Sequence, residues 1–200
     1  MADILYVFEG HLYLNITNRC PCDCIFCIRQ NGDGVGTAET LWHQHDPSTD
    51  EVMAALRAFD FSPYTEAVFC GYGEPTVALD TLIEAAKYLK EQGLNVRLNT
   101  NGLADLIHGK PTAARLKGLV DTVSISLNAP TAARYNEVTR PSFGERAFEA
   151  MLSYAKECKQ IVPNVVFTVV DVITPEEIEA CRALADQMGI PLRVRARITG

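Results

Sequence analysis

Apolar positions along the chain switch repeatedly between a period of two and a period of three to four, and each switch predicts a change from strand to helix. The segment "HLYLNIT" (residues 11–17) alternates and runs into a loop crowded with cysteine; residues 31–47 then form a loop rich in glycine. Ser48 opens a helix, with Glu51 completing a capping box and Val52, Ala55, Leu56 and Phe59 forming its apolar stripe. "EAVFCG" (66–71) is a short strand, followed by Leu79, Leu82, Ile83, Ala86 and Leu89 at helical spacing and by Gly93 as a stop. "NVRLNTNG" (95–102) and "DTVSISLN" (121–128) are the next two strands, with a poorly defined helical segment, "TAARLKGLV" (112–120), between them. After Pro141 the residues Phe148, Met151, Leu152 and Ala155 form another apolar helical face, and "NVVFTVVDVI" (164–173) is a near-continuous buried strand of the parallel kind. Thr174 and Pro175 start the next helix, Glu177 completes its box, and Gly189 ends it before "PLRVRARI" (191–198).

Six strand-helix units fit this pattern. Strands joined by single helices pair in parallel through right-handed crossovers. Two α/β solutions meet that requirement: an open doubly wound sheet, or a barrel-like sheet with its helices outside. In both, ligands sit at the carboxyl ends of the strands. The conspicuous polar groups fall there, since the cysteine loop follows the first strand, "GYGEPT" the second, "NTNG" the third and "NAP" the fourth.

Composition changes this picture only by exclusion. Two hundred residues, 48% of them hydrophobic, suffice for one sizeable core, so residues 1–200 read as a single soluble domain. The first fifteen residues have no basic, apolar sequence of the secretory kind, and the longest apolar run, residues 161–173, is broken by Pro163, Asn164 and Asp171. No passage through a membrane is expected. A net charge of −7 argues against a general binder of phosphate backbones. The expected compartment is the cytoplasm, where close thiols hold metal more often than they form disulfides.

Four of the seven cysteines lie within "NRCPCDCIFCIRQ" (18–30). Cys20, Cys24 and Cys27 are spaced Cys-x3-Cys-x2-Cys, so one loop can wrap three corners of an iron–sulfur cube and leave the fourth iron without a protein ligand. A structural zinc site would draw a second close pair of ligands from elsewhere, and none is present. Cys22 is surplus: it fills the loop or substitutes for a neighbour. Cys158 and Cys181 lie on apolar helix stripes and read as packing; Cys70 in its strand reads as structural too, with a site role left open by its position next to Gly71. His43 and His45 of "HQH" read as solvated or as part of a lid rather than as metal ligands. "GDGVG" (32–36) follows no strand and lacks a P-loop lysine, so it reads as a flexible active-site loop.

With Phe26 just before its last cysteine, the triplet resembles the radical S-adenosylmethionine (radical SAM) superfamily, and "GYGEP" resembles that superfamily's Gly-Gly-Glu element. "CIFCIR", "FCGYGEPT", "LNTNG" and "SISLNA" are most similar to the TatD-associated subgroup. The resemblance implies a partial (β/α)6 TIM-like barrel. It implies a 4Fe-4S cluster on Cys20, Cys24 and Cys27, with the free iron chelated by S-adenosylmethionine. Reductive cleavage of that cofactor would release methionine and a 5′-deoxyadenosyl radical that abstracts hydrogen from an unidentified substrate. By the same resemblance the backbone beside Phe26 would contact adenine, the stretch Gly71, Tyr72, Gly73, Glu74 would bind the methionine amino group, and Ser126 or Asn128 the ribose hydroxyls. No catalytic side chain is assigned. A low-potential donor such as flavodoxin or ferredoxin would supply the electron. The substrate is expected to be anionic or a macromolecule, handled by an activase or a small-molecule rearrangement enzyme. The alternative function is an iron–sulfur or zinc module for electron transfer or structure.

The pattern departs from the superfamily in the fifth strand, where "VVFTVVDVI" lacks the glycines common there and leaves Val170 as the residue to pack on adenine. No motif for an auxiliary cluster and no cap follow the sixth strand, so the expectation is a substrate that closes the mouth itself, or a minimal or truncated core. Arg193, Arg195 and Arg197 alternate with Val194, Ala196 and Ile198 and project from one face. They either protect an edge strand or face the barrel interior, to hold a substrate anion or the cofactor's carboxylate.

Overall fold

The computed structural model describes residues 2–197. Seven strands form one sheet, β1 (Leu5–Phe8), β2 (His11–Leu14), β3 (Glu66–Phe69), β4 (Asn95–Thr100), β5 (Thr122–Ser126), β6 (Asn164–Val170) and β7 (Leu192–Arg195). Their spatial order is their chain order. β1 and β2 are an antiparallel hairpin closed by Glu9 and Gly10, both at positive φ, and β2 to β7 are parallel throughout. A doubly wound sheet reverses its strand order at a switch point, whereas a barrel winds always in one sense. The unbroken order therefore decides for the barrel type, left open between its edges.

Helices α1 (Thr49–Ala58), α2 (Leu79–Glu91), α3 (Ala104–His108), α4 (Ala132–Thr139), α5 (Arg146–Ile161) and α6 (Pro175–Met188) make the crossovers. Both expected capping boxes are formed: Ser48 accepts from the Glu51 backbone N–H and Thr174 from that of Glu177, with each glutamate reaching back to the cap residue's N–H. Alternation places Leu12, Leu14, Phe69, Leu98, Ile125 and Phe167 on one face of the sheet, where they pack against α1, α2, α5 and α6 in one continuous core. Cys158 and Cys181 lie fully buried in that core. The other face of the strands carries Tyr13, Cys70, Asn99, Ser124, Ser126 and Thr168. The helices thus take the apolar rows, and the barrel interior keeps the polar ones.

Four elements differ from expectation. The helical segment expected at 112–120 is a single 3-10 turn, Ala113–Leu116, and the α-helix of that crossover, α3, lies before it. β1 is an additional strand; its four residues "LYVF" are uniformly apolar and carry no period to read. α4 is additional too, because only Tyr135, Val138 and Thr139 are buried on it, too few for a stripe. Residues 31–47 are strapped down. Thr37 exchanges two 2.8 Å hydrogen bonds with Val7, its N–H donating to the carbonyl and its Oγ1 accepting from the N–H, while Leu41, Ala38, Tyr6 and Tyr72 form a second small core. The strap covers the outer edge of β1, where unpaired backbone groups would otherwise be open to another chain. Ile198 lies outside the described residues.

Candidate active site

The carboxyl ends of the parallel strands surround a cavity of about 150 Å³. The loop after β2 contributes Cys20, Cys22, Cys24 and Phe26 to its wall, and the β3 end contributes Cys70, Gly73 and Glu74. Asn99 and Asn101 come from β4 and the turn after it, Ser124, Ser126 and Asn128 from β5, Thr168 from β6 and Arg195 from β7. α4 closes one side with Tyr135 and Thr139, two residues that could not be expected at the site while their helix went unrecognised.

The cysteine loop is held at both ends. The Asp23 and Ile25 N–H groups donate to the Thr139 and Val138 carbonyls at 3.1 and 3.0 Å, so the end of α4 acts as a rail for the loop. On the other flank the Glu74 N–H donates to the Arg19 carbonyl at 2.9 Å. Cys22 is buried at 5% exposure between two other thiols. Its bonding to Cys20 and Cys24, together with burial, pushes its own thiol far up, while that bond holds Cys20 below the usual thiol range. Cys27 is not in the cavity wall; the Arg29 Nε donates to its sulfur at 3.3 Å, and Arg29 Nη2 donates to the Cys22 carbonyl at 3.2 Å.

Glu74 is 4% exposed and joins two strand ends. Its carboxylate accepts from the Thr76 N–H (3.1 Å), the Thr76 and Thr100 hydroxyls (both 2.7 Å) and the Asn101 N–H (2.7 Å). Burial raises its pKa above the ordinary carboxylate range, and these four donors oppose that shift. Gly73 is required for a reason internal to the chain: a Cβ there would stand 2.2 Å from the Thr17 carbonyl oxygen and 2.8 Å from that of Arg19. Its lack of a side chain lets the cysteine loop lie against β3.

Gly71 and Tyr72 belong to the other side of the strand end. Tyr72 is buried in the small core, its hydroxyl donating to the Gly32 carbonyl at 2.6 Å and its ring edge-on to Trp42 at 4.9 Å. Its N–H donates to Asn15 Oδ1, and Asn15 in turn bonds the Leu41 carbonyl and His43 Nε2. His43 is therefore a half-buried clamp rather than a solvated side chain, and burial lowers its pKa. His45 pairs with Glu51 at 3.0 Å. Val170 is buried but absent from the cavity wall.

On β5, Ser126 and Asn128 both reach the cavity. Asn128 has left-handed backbone at φ 55° and is 4% exposed, and its Oδ1 has no partner among the described residues. An orphaned buried acceptor beside a cavity is fitted to a ligand hydroxyl or amine. On β7, Arg193 lies opposite Thr168 and Arg195 opposite Val170, so both arginines take the inward parity of Thr168.

A model of the radical SAM superfamily matches residues 14–187. The chain belongs to the radical SAM superfamily. As a radical SAM protein it is 28% identical over 147 residues to the GTP 3′,8-cyclase of Pelotomaculum thermopropionicum, covering 72% of this chain and 42% of the cyclase. The chain spans less than half the length of such curated relatives. Two solved structures share the fold. Streptococcus suis SuiB superposes with a TM-score of 0.67 at 16% identity, over 96% of this chain and 41% of SuiB. The AdoMet-bound protein called anSMEcpe superposes at 0.61 and 16% identity, over 94% and 51%.

The radical SAM family uses a 4Fe-4S cluster and S-adenosylmethionine, and the donors present suit both. Among the described residues no three His, Cys, Asp or Glu side chains gather closely enough for a single ion. The Cys-x3-Cys-x2-Cys spacing of the loop suits three corners of a multi-iron cluster. Also among the described residues, no helix is long and apolar enough to cross a membrane.

Proposed function

We propose that this chain is the radical-generating core of a radical SAM enzyme. The observation that carries the reading is the meeting of a Cys-x3-Cys-x2-Cys loop with the polar ends of five further strands at one cavity. When bound, the cluster and S-adenosylmethionine supply an electron and a sulfonium whose reductive cleavage yields methionine and a hydrogen-abstracting 5′-deoxyadenosyl radical. Cys20, Cys24 and Cys27, spaced Cys-x3-Cys-x2-Cys, would hold the cluster, and Cys22, buried at 5% exposure, would fill the loop. The backbone beside Phe26, in the cavity wall, would contact adenine, and Ser126 or Asn128, whose Oδ1 has no partner among the described residues, would bond the ribose hydroxyls. Of the stretch Gly71 to Glu74, Gly73 and Glu74 reach the cavity, Glu74 as the brace that keeps the β3 and β4 ends at fixed separation. Tyr135 forms one side of the cavity.

The finer reading is that residues 1–200 form one core unit of the TatD-associated kind, working in the cytoplasm with flavodoxin or ferredoxin as donor. The substrate is not identified by the relatives, whose name "GTP 3′,8-cyclase" speaks for themselves alone.

The test is anaerobic incubation of the reconstituted, dithionite-reduced protein with S-adenosylmethionine and cell extract in deuterated or unlabelled form. Formation of 5′-deoxyadenosine carrying deuterium from the extract supports the reading. Replacing Cys20, Cys24 or Cys27 by alanine should abolish both the brown chromophore and cleavage, and Cys22→Ala should retain both. An intact cluster that never cleaves S-adenosylmethionine would leave the electron-transfer module as the function.

A further inference from the structure

The cavity wall contains one carboxylate and one guanidinium, Glu74 and Arg195, and they do not neutralise each other. Both oxygens of Glu74 are engaged by the four donors from Thr76, Thr100 and Asn101. Arg195 has no ion-pair partner among the described residues. Elsewhere on the inward face the fold does supply one, since Arg97 of β4 pairs with Glu66 of β3 at 2.9 Å. The backbone of Arg195 is held, its carbonyl accepting from the Asp171 N–H at 3.0 Å, and the Asp171 carboxylate is itself turned to the Arg197 N–H at 2.7 Å. The Arg195 charge opposes the rise in pKa that burial causes at Cys70, just after β3, and at Tyr13, on β2. Asn99 and Thr168 stand in the same wall with groups that can orient a ligand beside it.

Arg195 is exposed at the edge of the sheet, and it also forms part of the wall of that cavity. We propose that Arg195 anchors an anionic group, a carboxylate or phosphate, of the substrate. The inference rests on the radical SAM reading of the same cavity and names the class of its substrate. A planar guanidinium with no other partner recognises such groups through paired N–H donors, which lysine cannot reproduce.

The experiment is calorimetric titration of the full-length, cluster-reconstituted protein with inorganic pyrophosphate, with and without saturating S-adenosylmethionine, in wild type, Arg195→Gln and Arg195→Lys. The expected result is pyrophosphate binding to the cofactor-loaded wild type, weakened at least tenfold in Arg195→Gln and less in Arg195→Lys. Retention of charge and fold by the lysine variant keeps the test valid if the glutamine variant folds poorly. Equal pyrophosphate affinity in wild type and variants, or none in wild type, overturns the proposal. So does a tenfold loss of S-adenosylmethionine affinity in Arg195→Gln, which would assign the arginine to the cofactor's own carboxylate. If the protein takes up neither cluster nor S-adenosylmethionine yet binds pyrophosphate through Arg195, the radical SAM reading falls and the anion site stands.

Discussion

Asn101 shows how a single side chain ties the strand ends to the cysteine loop. Its Oδ1 accepts from the Leu103 N–H at 3.0 Å, which fixes the amide orientation and turns Nδ2 toward the sulfurs of Cys22 and Cys20, at 3.6 and 4.0 Å. Of the two, Cys20 is the proposed ligand, and a hydrogen bond to a ligand sulfur raises a cluster's reduction potential. Asn101→Ala is therefore expected to lower the midpoint in an anaerobic redox titration followed by electron paramagnetic resonance. Asn101→Asp, which keeps the bond to Leu103 and loses the donor, should do the same; an unchanged midpoint in the aspartate variant would reduce Asn101 to a turn residue. Gly73 is the second residue with a defined consequence. Valine there collides with the Thr17 and Arg19 carbonyls, so Gly73→Val is expected to displace the cysteine loop and lower iron content per chain as well as S-adenosylmethionine binding. Full iron content with weakened cofactor binding would place the pressure on the cofactor instead.

Among the elements, α1 offers the clearest ledger of local causes. Ser48 accepts from the Glu51 N–H, Glu51 accepts from the Ser48 N–H and hydroxyl at 2.8 Å each, and Val52 and Leu56 then face the core. Ser48→Ala is expected to cost about 1 kcal/mol, read as a lower melting midpoint. These bonds and His45 hold the Glu51 carboxyl down at about 2. A depressed carboxyl stabilises the fold above its unfolded pKa, near 4.5, and loses that contribution as pH falls toward 2. The difference in melting temperature between wild type and Glu51→Ala should accordingly shrink as pH falls below about 4.5. A difference independent of pH would mean that helix propensity, and not the cap, is responsible.

For the molecule as a whole, the open barrel has two edges with different treatments. β7 ends the sheet with Arg193 and Arg195 on its inward face, while β1 is covered by the strap of residues 31–47. The strap is fastened through Leu41, 1% exposed, and through the Tyr72 hydroxyl, and Tyr72 is a neighbour of Gly73 and Glu74 in the cavity wall. Leu41→Ala removes a buried side chain from a small core and is expected to cost about 2–5 kcal/mol. Hydrogen exchange should then accelerate first at residues 31–47 and at β1, with β4 to β6 unaffected until global unfolding. Uniform acceleration would show that strap and barrel unfold as one unit.

The periods of the apolar residues were enough to determine six parallel strands, most of their helices and both capping boxes, because these follow from local spacing and from which face each residue must bury. The position of the cysteine loop after a strand likewise marked the end of the sheet where the cavity lies. Strand order did not follow from the sequence, since barrel and doubly wound sheets share the same alternation of elements and differ only in which strands pair. β1 and α4 were illegible: four apolar residues have no period, and a helix that buries three residues has almost no stripe. Tertiary structure alone decided that Tyr72 and His43 fasten a strap, that Gly73 gives way to the chain's own carbonyls, and that Arg195 lines the cavity. Each of those outcomes depends on contacts between residues tens of positions apart, and spacing along the chain carries no record of such contacts.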